Sequence, residues 1–441
     1  MSNEPSQGLH GNNRLIDALE DVTERYRAAN PKSHDQWKTA QGVMPGGNTR
    51  TVLHYEPFPV TMIKGEGTYL HDMDGNRYTD FLGEYSAGLY GHSNPLIQAA
   101  LREAIAAGTA LGAPNQWEAK LAEILCQRFP SMDMVRFTNS GTEANLMALG
   151  AARAFTGRDK IMVFDGGYHG GVLYFGHGGT PMNVPFDVVY APYNDEKEAV
   201  AIIEANRSEL AAVIIEPMMG SGGCLPAEKP FLKALRNAAS QNDIILIFDE
   251  VMTSRSSAGG LQQRLGITPD ITTVGKYIGG GSSFGAFGGR HDIMAQFDPT
   301  SPLAQLHSGT FNNNVMSMAA GYTGLSQVFT PDVAEDLYSR GETFKARLIG
   351  ISSARGVAMQ LTGCGSLIGL HAMSRPILVP ADMDSRSPER LKLIHLEMML
   401  RGFSHAQRGY LTLNLAMTDD DLNGFADAFD EVLGLHVDVL G

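Results

Sequence analysis

Four segments of the 441-residue chain place chemically capable side chains at the ends of short apolar runs. Ile271-Thr272-Thr273-Val274-Gly275 ends on Lys276 and continues through Tyr277-Ile278 into three glycines, Gly279 to Gly281. Lysines normally sit on solvated faces. One held among apolar groups has reason to shed its proton, and an uncharged amine is a nucleophile toward an aldehyde. Ile244-Ile245-Leu246-Ile247-Phe248 runs into Asp249 and Glu250, carboxylates that are costly to bury unless paired. Asp249 suits a partner such as a protonated ring nitrogen. A structural ion pair would use the same group, and a metal would too, although no His-rich segment accompanies it. In Phe137-Thr138-Asn139-Ser140-Gly141-Thr142-Glu143-Ala144 a strand turns into a helix. The free N–H groups, the helix dipole and two hydroxyls make a phosphate cradle there, while Ser/Thr before Glu also reads as a plain helix cap. Finally, Phe164-Asp165-Gly166-Gly167-Tyr168-His169-Gly170-Gly171 is a glycine-rich turn. Tyr168 could stack on a flat ring or belong to the core, and His169 reads as a turn histidine. Each segment alone also fits an ordinary structural role.

The elements that would position these residues alternate. Strands are expected at Met134–Thr138, Lys160–Phe164, Asp187–Ala191, Ala211–Glu216, Ile244–Phe248 and Ile271–Val274, mostly separated by helical stretches. Such βαβα order calls for a mainly parallel sheet covered by helices on both faces. Open sheets of this kind bind ligands beyond the carboxyl ends of their strands, where the four segments fall. Upstream, residues 1–12 read as a loose arm, followed by an amphipathic helix through Leu15, Ile16, Leu19, Val22 and Tyr26. Residues 58–86 alternate around Gly-Glu-Gly and Asp-Gly turns, as a small antiparallel sheet does. There His71-Asp72-Met73-Asp74-Gly75 has the start of a calcium loop without its remaining ligands, so a hairpin turn is expected. Helices are expected at 95–107 and 116–128, then at 331–353, strands within 357–371 and 410–415, and a last helix at 418–435. The expected organisation is an N-terminal segment 1–90 that belongs to a small domain, a large domain 91–330, and a C-terminal small domain 331–441.

At 43% hydrophobic and 19% charged residues, the chain can bury a large core. A formal net charge of −14 argues against nucleic acid or an anionic membrane as the main partner. Cys126, Cys224 and Cys364 form no CxxC pair and read as thiols in a reducing compartment. No run of about 18 apolar residues suggests a membrane span, and the polar first residues lack a signal-peptide stretch. A soluble, cytoplasmic protein is the expectation. Neither GxGxxG after an early strand nor GxxxxGK[ST] is present, which removes the usual signs of dinucleotide or ATP binding.

Taken together, N-S-G-T-E-A, G-G-Y-H-G, I-I-E-P, F-D-E-V, G-K-Y-I-G-G-G and H-S-G-T-F resemble the class III aminotransferases over roughly residues 40 to 430. Met44-Pro45-Gly46-Gly47 and the Gly-Lys-x-Ile-Gly-Gly-Gly run are similar to glutamate-1-semialdehyde aminomutases. A closer resemblance, to the β-amino-acid (β-phenylalanine) aminotransferases, rests on four segments. They are Pro45-Gly46-Gly47-Asn48-Thr49-Arg50, Glu84-Tyr85-Ser86-Ala87-Gly88, Phe248 to Arg255, and Ser308-Gly309-Thr310-Phe311-Asn312-Asn313-Asn314.

The resemblance implies an α/β fold of the aspartate-aminotransferase type (fold type I), with a small α+β domain beside the large one. It also implies pyridoxal 5'-phosphate (PLP) as cofactor, joined to Lys276 as a Schiff base, with Asp249 on the pyridine nitrogen. Tyr168 would stack on one ring face and Val251 press on the other. Ser140, Gly141 and Thr142 would hold the phosphate, helped by Thr310 of the neighbouring subunit in a homodimer with its active site at the interface. Glu216 would help order the site. Arg50 and Arg408 carry guanidinium forks suited to carboxylates, and Tyr85, Tyr90 and Met252 could line an apolar pocket. Partners would then be an amino donor such as β-phenylalanine and a keto acid such as 2-oxoglutarate or pyruvate; no metal is expected. Cys364, Leu367 and the stretch from Met373 to Arg386 depart from both relatives, which leaves substrate size open. An intramolecular aminomutase, or an amine transaminase without a carboxylate requirement, is the alternative.

Overall fold

The computed structural model describes residues 6–385 and 387–441. Near the N-terminus three antiparallel strands form a small sheet: β1 (Met62–Glu66), β2 (Tyr69–Asp72) and β3 (Arg77–Asp80). The turn between β2 and β3 is the hairpin expected from Asp72 to Gly75. Asp72 Oδ1 accepts from the Asp74 and Asn76 backbone N–H groups at 2.9 and 2.8 Å, which ties the turn to itself.

The central sheet contains β4 (Met134–Thr138), β5 (Lys160–Phe164), β6 (Val188–Ala191) and β7 (Leu210–Ile215). After the two-residue strands β8 (Met218–Met219) and β9 (Leu225–Pro226) it continues with β10 (Ile245–Asp249), β11 (Ile271–Gly275) and β12 (Gly285–Gly289). The order is β4-β12-β11-β10-β7-β5-β6, and β12 alone runs against the rest. Strands β7, β10 and β11 are buried at every position, which is why each reads as a nearly unbroken apolar run. Alternate side chains divide between two cores. Val213, Ile215 and Leu246 pack with Phe231 and Leu235 beneath the helices Glu196–Asn206 and Lys229–Gln241. Ala212, Ile214 and Ile247 pack with Ala148, Leu149 and Ala152 of the helix Gly141–Thr156. Each fully buried Ile, Leu, Val or Phe contributes about 1.5–3 kcal/mol, so the sheet is a stiff platform for the residues at its carboxyl edge.

The C-terminal part adds β13 (Gln360–Cys364), β14 (Leu367–His371), β15 (Phe403–Ser404) and β16 (Tyr410–Thr412). Strands β13, β14 and β16 pair with one another, while β15 joins the N-terminal sheet alongside β3. The six expected central strands are present to within a residue or two at their ends. Two expectations change. The segment read as a loose arm is helical from Ser6, in a helix that continues to Ala29, because extending an existing helix adds one hydrogen bond per residue without a new nucleus; residues 1–5 lie outside the described residues. Strand β12, Gly-Ala-Phe-Gly-Gly, is a further member of the sheet that glycine content hides. Its glycine at 285 is required by contact: a Cβ there would strike the Ser140 carbonyl.

Candidate active site

The parallel register pairs Asp249 with Thr273, so the last residues of β10 and β11 deliver Asp249 and Lys276 to the same edge. Lys276 opens a short turn in the left-handed region, with φ 53°. Its Nζ donates to the Tyr85 carbonyl at 2.6 Å. Burial, with Arg50 adding to it, pushes the amine down to about 8; the Asp249 and Glu216 carboxylates oppose that shift and Arg408 adds to it. A lysine so placed loses its proton far more readily than an ordinary one, and is mostly uncharged above pH 8.

Asp249 is buried yet fully engaged. Its Oδ2 accepts from Asn145 Nδ2 at 2.7 Å and faces His169 Nδ1 at 2.8 Å, and its Oδ1 accepts from the Val251 backbone N–H at 3.0 Å. Asn145 is itself oriented, because its Oδ1 accepts from Thr273 Oγ1 at 2.6 Å. Glu216, just past β7, accepts from the Tyr168 and Gly220 backbone N–H groups, both at 2.9 Å. Burial raises its carboxyl to about 7. Tyr168 itself is 44% exposed, which leaves its ring open for stacking.

At the start of the helix Gly141–Thr156, Ser140 Oγ accepts from the Glu143 N–H at 3.2 Å, so the capping role is realised. The dipole and the first N–H groups still point outward toward the sheet edge. Gly141 must be small, since a Cβ would come within 2.8 Å of Val251. Gly170 has φ 128°, and a Cβ there would overlap Thr142 Oγ1, which presses the Tyr168 turn against this helix start. Tyr85 is buried, stacked on Tyr410 at 5.6 Å, with the guanidinium carbons of Arg50 and Arg408 at 5.7 and 5.1 Å from its ring centre. Met252 packs in the same cluster as Tyr85. Tyr90 is a core residue against Tyr277 and borders a cavity of about 1030 Å³, which Glu84, Tyr85 and Arg408 also line. Thr310 is exposed on a loop whose Asn312 accepts from Asn139 Nδ2 at 2.9 Å, beside Ser140.

The family model for class III aminotransferases matches residues 52–432. The chain belongs to that family. It is 50% identical over 420 residues to a β-phenylalanine transaminase of Variovorax paradoxus, covering 95% of this chain and 96% of the relative. A solved β-phenylalanine aminotransferase from the same organism superposes with a TM-score of 0.95 at 49% identity, covering 97% and 99% of the two chains. A glutamate-1-semialdehyde 2,1-aminomutase of Brevibacillus brevis is 36% identical over 417 residues, covering 90% and 97%. The protein is thus a PLP-dependent transaminase of the fold type I architecture.

The residues present fit that cofactor. A buried amine close to neutrality, a fixed carboxylate, a half-exposed aromatic and a glycine-lined helix start meet at one sheet edge. Sequence reasoning does not single out Asn145 and His169, which bond Asp249, or Thr273, which orients Asn145. Asn145 lies one helical turn beyond Gly141, facing the same way, which is the one signal that could have marked it. Among the described residues no helix is long and apolar enough to cross a membrane.

Proposed function

We propose that this transaminase moves the amino group of a β-amino acid of the β-phenylalanine type to a 2-keto acid such as 2-oxoglutarate or pyruvate. The observation that carries the reading is the buried Lys276 amine at the sheet edge where Asp249 ends β10, bonded to the carbonyl of Tyr85, whose ring both Arg50 and Arg408 approach. Support comes from the extent of similarity to the Variovorax transaminase. PLP, when bound, supplies an aldehyde carbon and a ring that stores electrons. Lys276 Nζ would bond that carbon and, once displaced by the donor amine, carry the proton from the substrate carbon. Asp249, held by Asn145 and His169, would keep the ring nitrogen protonated. Ser140, Gly141 and Thr142 would bind the phosphate, Tyr168 and Val251 the two ring faces, and Glu216 would fix the Tyr168 turn. Arg50 and Arg408 would bind carboxylates, with Tyr85 and Met252 forming the apolar wall between.

A homodimer completes the site in this reading. Thr310 would reach the partner's phosphate, and Leu306, 95% exposed, with Leu303 and Phe311 on the same loop, supplies apolar surface for the interface. The domain limits 1–90, 91–330 and 331–441 and a cytoplasmic location are part of the same proposal. The test is borohydride reduction of the purified, cofactor-loaded protein, followed by peptide mapping and by turnover of β-phenylalanine with and without keto acid. A tag on the Lys276 peptide and strict dependence on keto acid are expected. Turnover of a semialdehyde with no acceptor would instead establish an aminomutase, and no tag at Lys276 would remove the assignment altogether.

A further inference from the structure

Arg50 and Arg408 approach the same Tyr85 ring, but their charges are balanced unequally. Arg50 is ion-paired with Glu84, whereas among the described residues no carboxylate pairs with Arg408. The position of Glu84 is dictated by the fold. Glu84, Tyr85 and Ser86 all lie at positive φ (48°, 52° and 78°), which non-glycine residues adopt only when their surroundings hold them there. The holders are on either side of the segment. Asp80 Oδ1 accepts from the Leu82 and Gly83 N–H groups at 2.9 Å each, Lys276 Nζ donates to the Tyr85 carbonyl, and the buried Arg255 donates through Nη1 to the Ser86 carbonyl at 3.2 Å. The Glu84 carboxylate is therefore delivered to Arg50 by a constrained backbone. The pair itself stays reachable by solvent, with side chains 41% and 55% exposed, so another carboxylate can exchange with it.

We propose that Glu84 is a specificity-determining residue, an internal carboxylate that occupies Arg50 until a second substrate carboxylate displaces it. The inference rests on the proposed carboxylate-binding role of the two arginines. A monocarboxylate with an uncharged side group uses the open Arg408 and leaves the Arg50–Glu84 pair intact. A dicarboxylate must break that pair and sit beside the charge of Glu84. One pocket thereby receives both an apolar donor and a diacid acceptor, and Glu84 sets the penalty on the second.

The experiment compares wild type, Glu84→Gln, Glu84→Ala and the double variant Arg50→Ala/Glu84→Gln, all loaded with PLP. Binding of two unreactive acids, glutarate (two carboxylates) and pentanoate (one), is measured by calorimetry. The ratio of KM for 2-oxoglutarate to KM for pyruvate is measured alongside. Releasing an exposed ion pair predicts that Glu84→Gln and Glu84→Ala tighten glutarate by about two- to fivefold relative to pentanoate, with the same fall in the KM ratio. The double variant should lose that gain. Equal shifts for both acids, no shift, or weaker glutarate binding would overturn the role of Glu84. Absence of keto-acid turnover in the wild type would instead refute the proposed reaction, while the two acids would still decide the binding claim.

Discussion

Replacing Asn145 with alanine tests whether Asp249 acts through being held. The carboxylate is buried and has three partners: Asn145 at 2.7 Å, His169 at 2.8 Å and the Val251 N–H at 3.0 Å. A hydrogen bond to a charged group contributes about 1.5–3 kcal/mol. The Asn145 amide cannot turn its oxygen to Asp249, because that oxygen is taken by Thr273 Oγ1. Its NH₂ group also reaches the His169 carbonyl at 3.0 Å, so one side chain orders both the carboxylate and its second partner. If the ionised Asp249 is stabilised in the transition state by this bond, Asn145→Ala should slow the donor half-reaction by roughly 10- to 150-fold. Single-turnover absorbance of the loaded enzyme mixed with β-phenylalanine measures the step, and circular dichroism checks the fold. Thr273→Val, which removes only the orienting bond, should give a smaller loss of the same kind. A folded Asn145→Ala enzyme within twofold of wild type, in both half-reaction rate and PLP affinity, would refute the reasoning.

Two further outcomes follow from charge and burial. Because the Lys276 amine is pushed from the ordinary 10.5 down to about 8, it is mostly charged below that pH and mostly free above it. The rate at which cofactor-free protein captures PLP should therefore rise through pH 8 and level off, and Arg50→Ala, by removing a repelling cation, should move the inflection upward; an inflection near 10 in the wild type contradicts the burial argument. Elsewhere, Glu397 is fully buried between Arg25 and Arg401, each at 2.5 Å, and His436 at 3.0 Å, and is held down to about 2 despite its burial. Its stabilisation is present above the ordinary 4.5 and is lost as pH falls from there through about 2; the drop corresponds to roughly 3 kcal/mol. Glu397→Gln removes the carboxylate shared by Arg25, Arg401 and His436 and should cost about 3 kcal/mol, the low end for a broken buried pair because Arg25 keeps Asp21 and Arg401 keeps Glu431. Hydrogen exchange in the helix Ser6–Ala29, which Arg25 docks, should accelerate accordingly, and unchanged protection there would contradict it.

The strands that carry the site could be read because they are buried on both faces. Ile245–Asp249 and Ile271–Gly275 have no polar face to interrupt the apolar run, so each run ends visibly at a candidate site residue, Asp249 or Lys276. Long-range pairing left no such mark. That Asn145 in a helix, Thr273 in a strand and His169 in a turn converge on Asp249 depends on strand order, which hydrophobic periodicity does not encode. His169 looked like any turn histidine for this reason. Strand β12 is hidden because three of its five residues are glycines, required by the close approach of the Ser140, Met134 and Asp270 carbonyls and set against strand propensity.

Backbone strain joins the two halves of the site. Lys276 and the three residues from Glu84 to Ser86 are left-handed without being glycine, at about 1–2 kcal/mol each. The segments face one another, and the bond from Lys276 Nζ to the Tyr85 carbonyl closes the gap between them. Relaxing either would move the amine away from Asp249 or shift the Tyr85 ring from beneath the arginines. The buried strands β10 and β11 on one side, and the Arg255 bonds to the Ser86 and Leu413 carbonyls on the other, offset that strain. Arg255 is 1% exposed and has no carboxylate partner among the described residues, an expensive way to hold two carbonyls. A lone buried guanidinium at this position is accounted for by the geometry it enforces, because the spacing between the Lys276 amine and the arginines at 50 and 408 passes through the carbonyls that Arg255 and Lys276 hold.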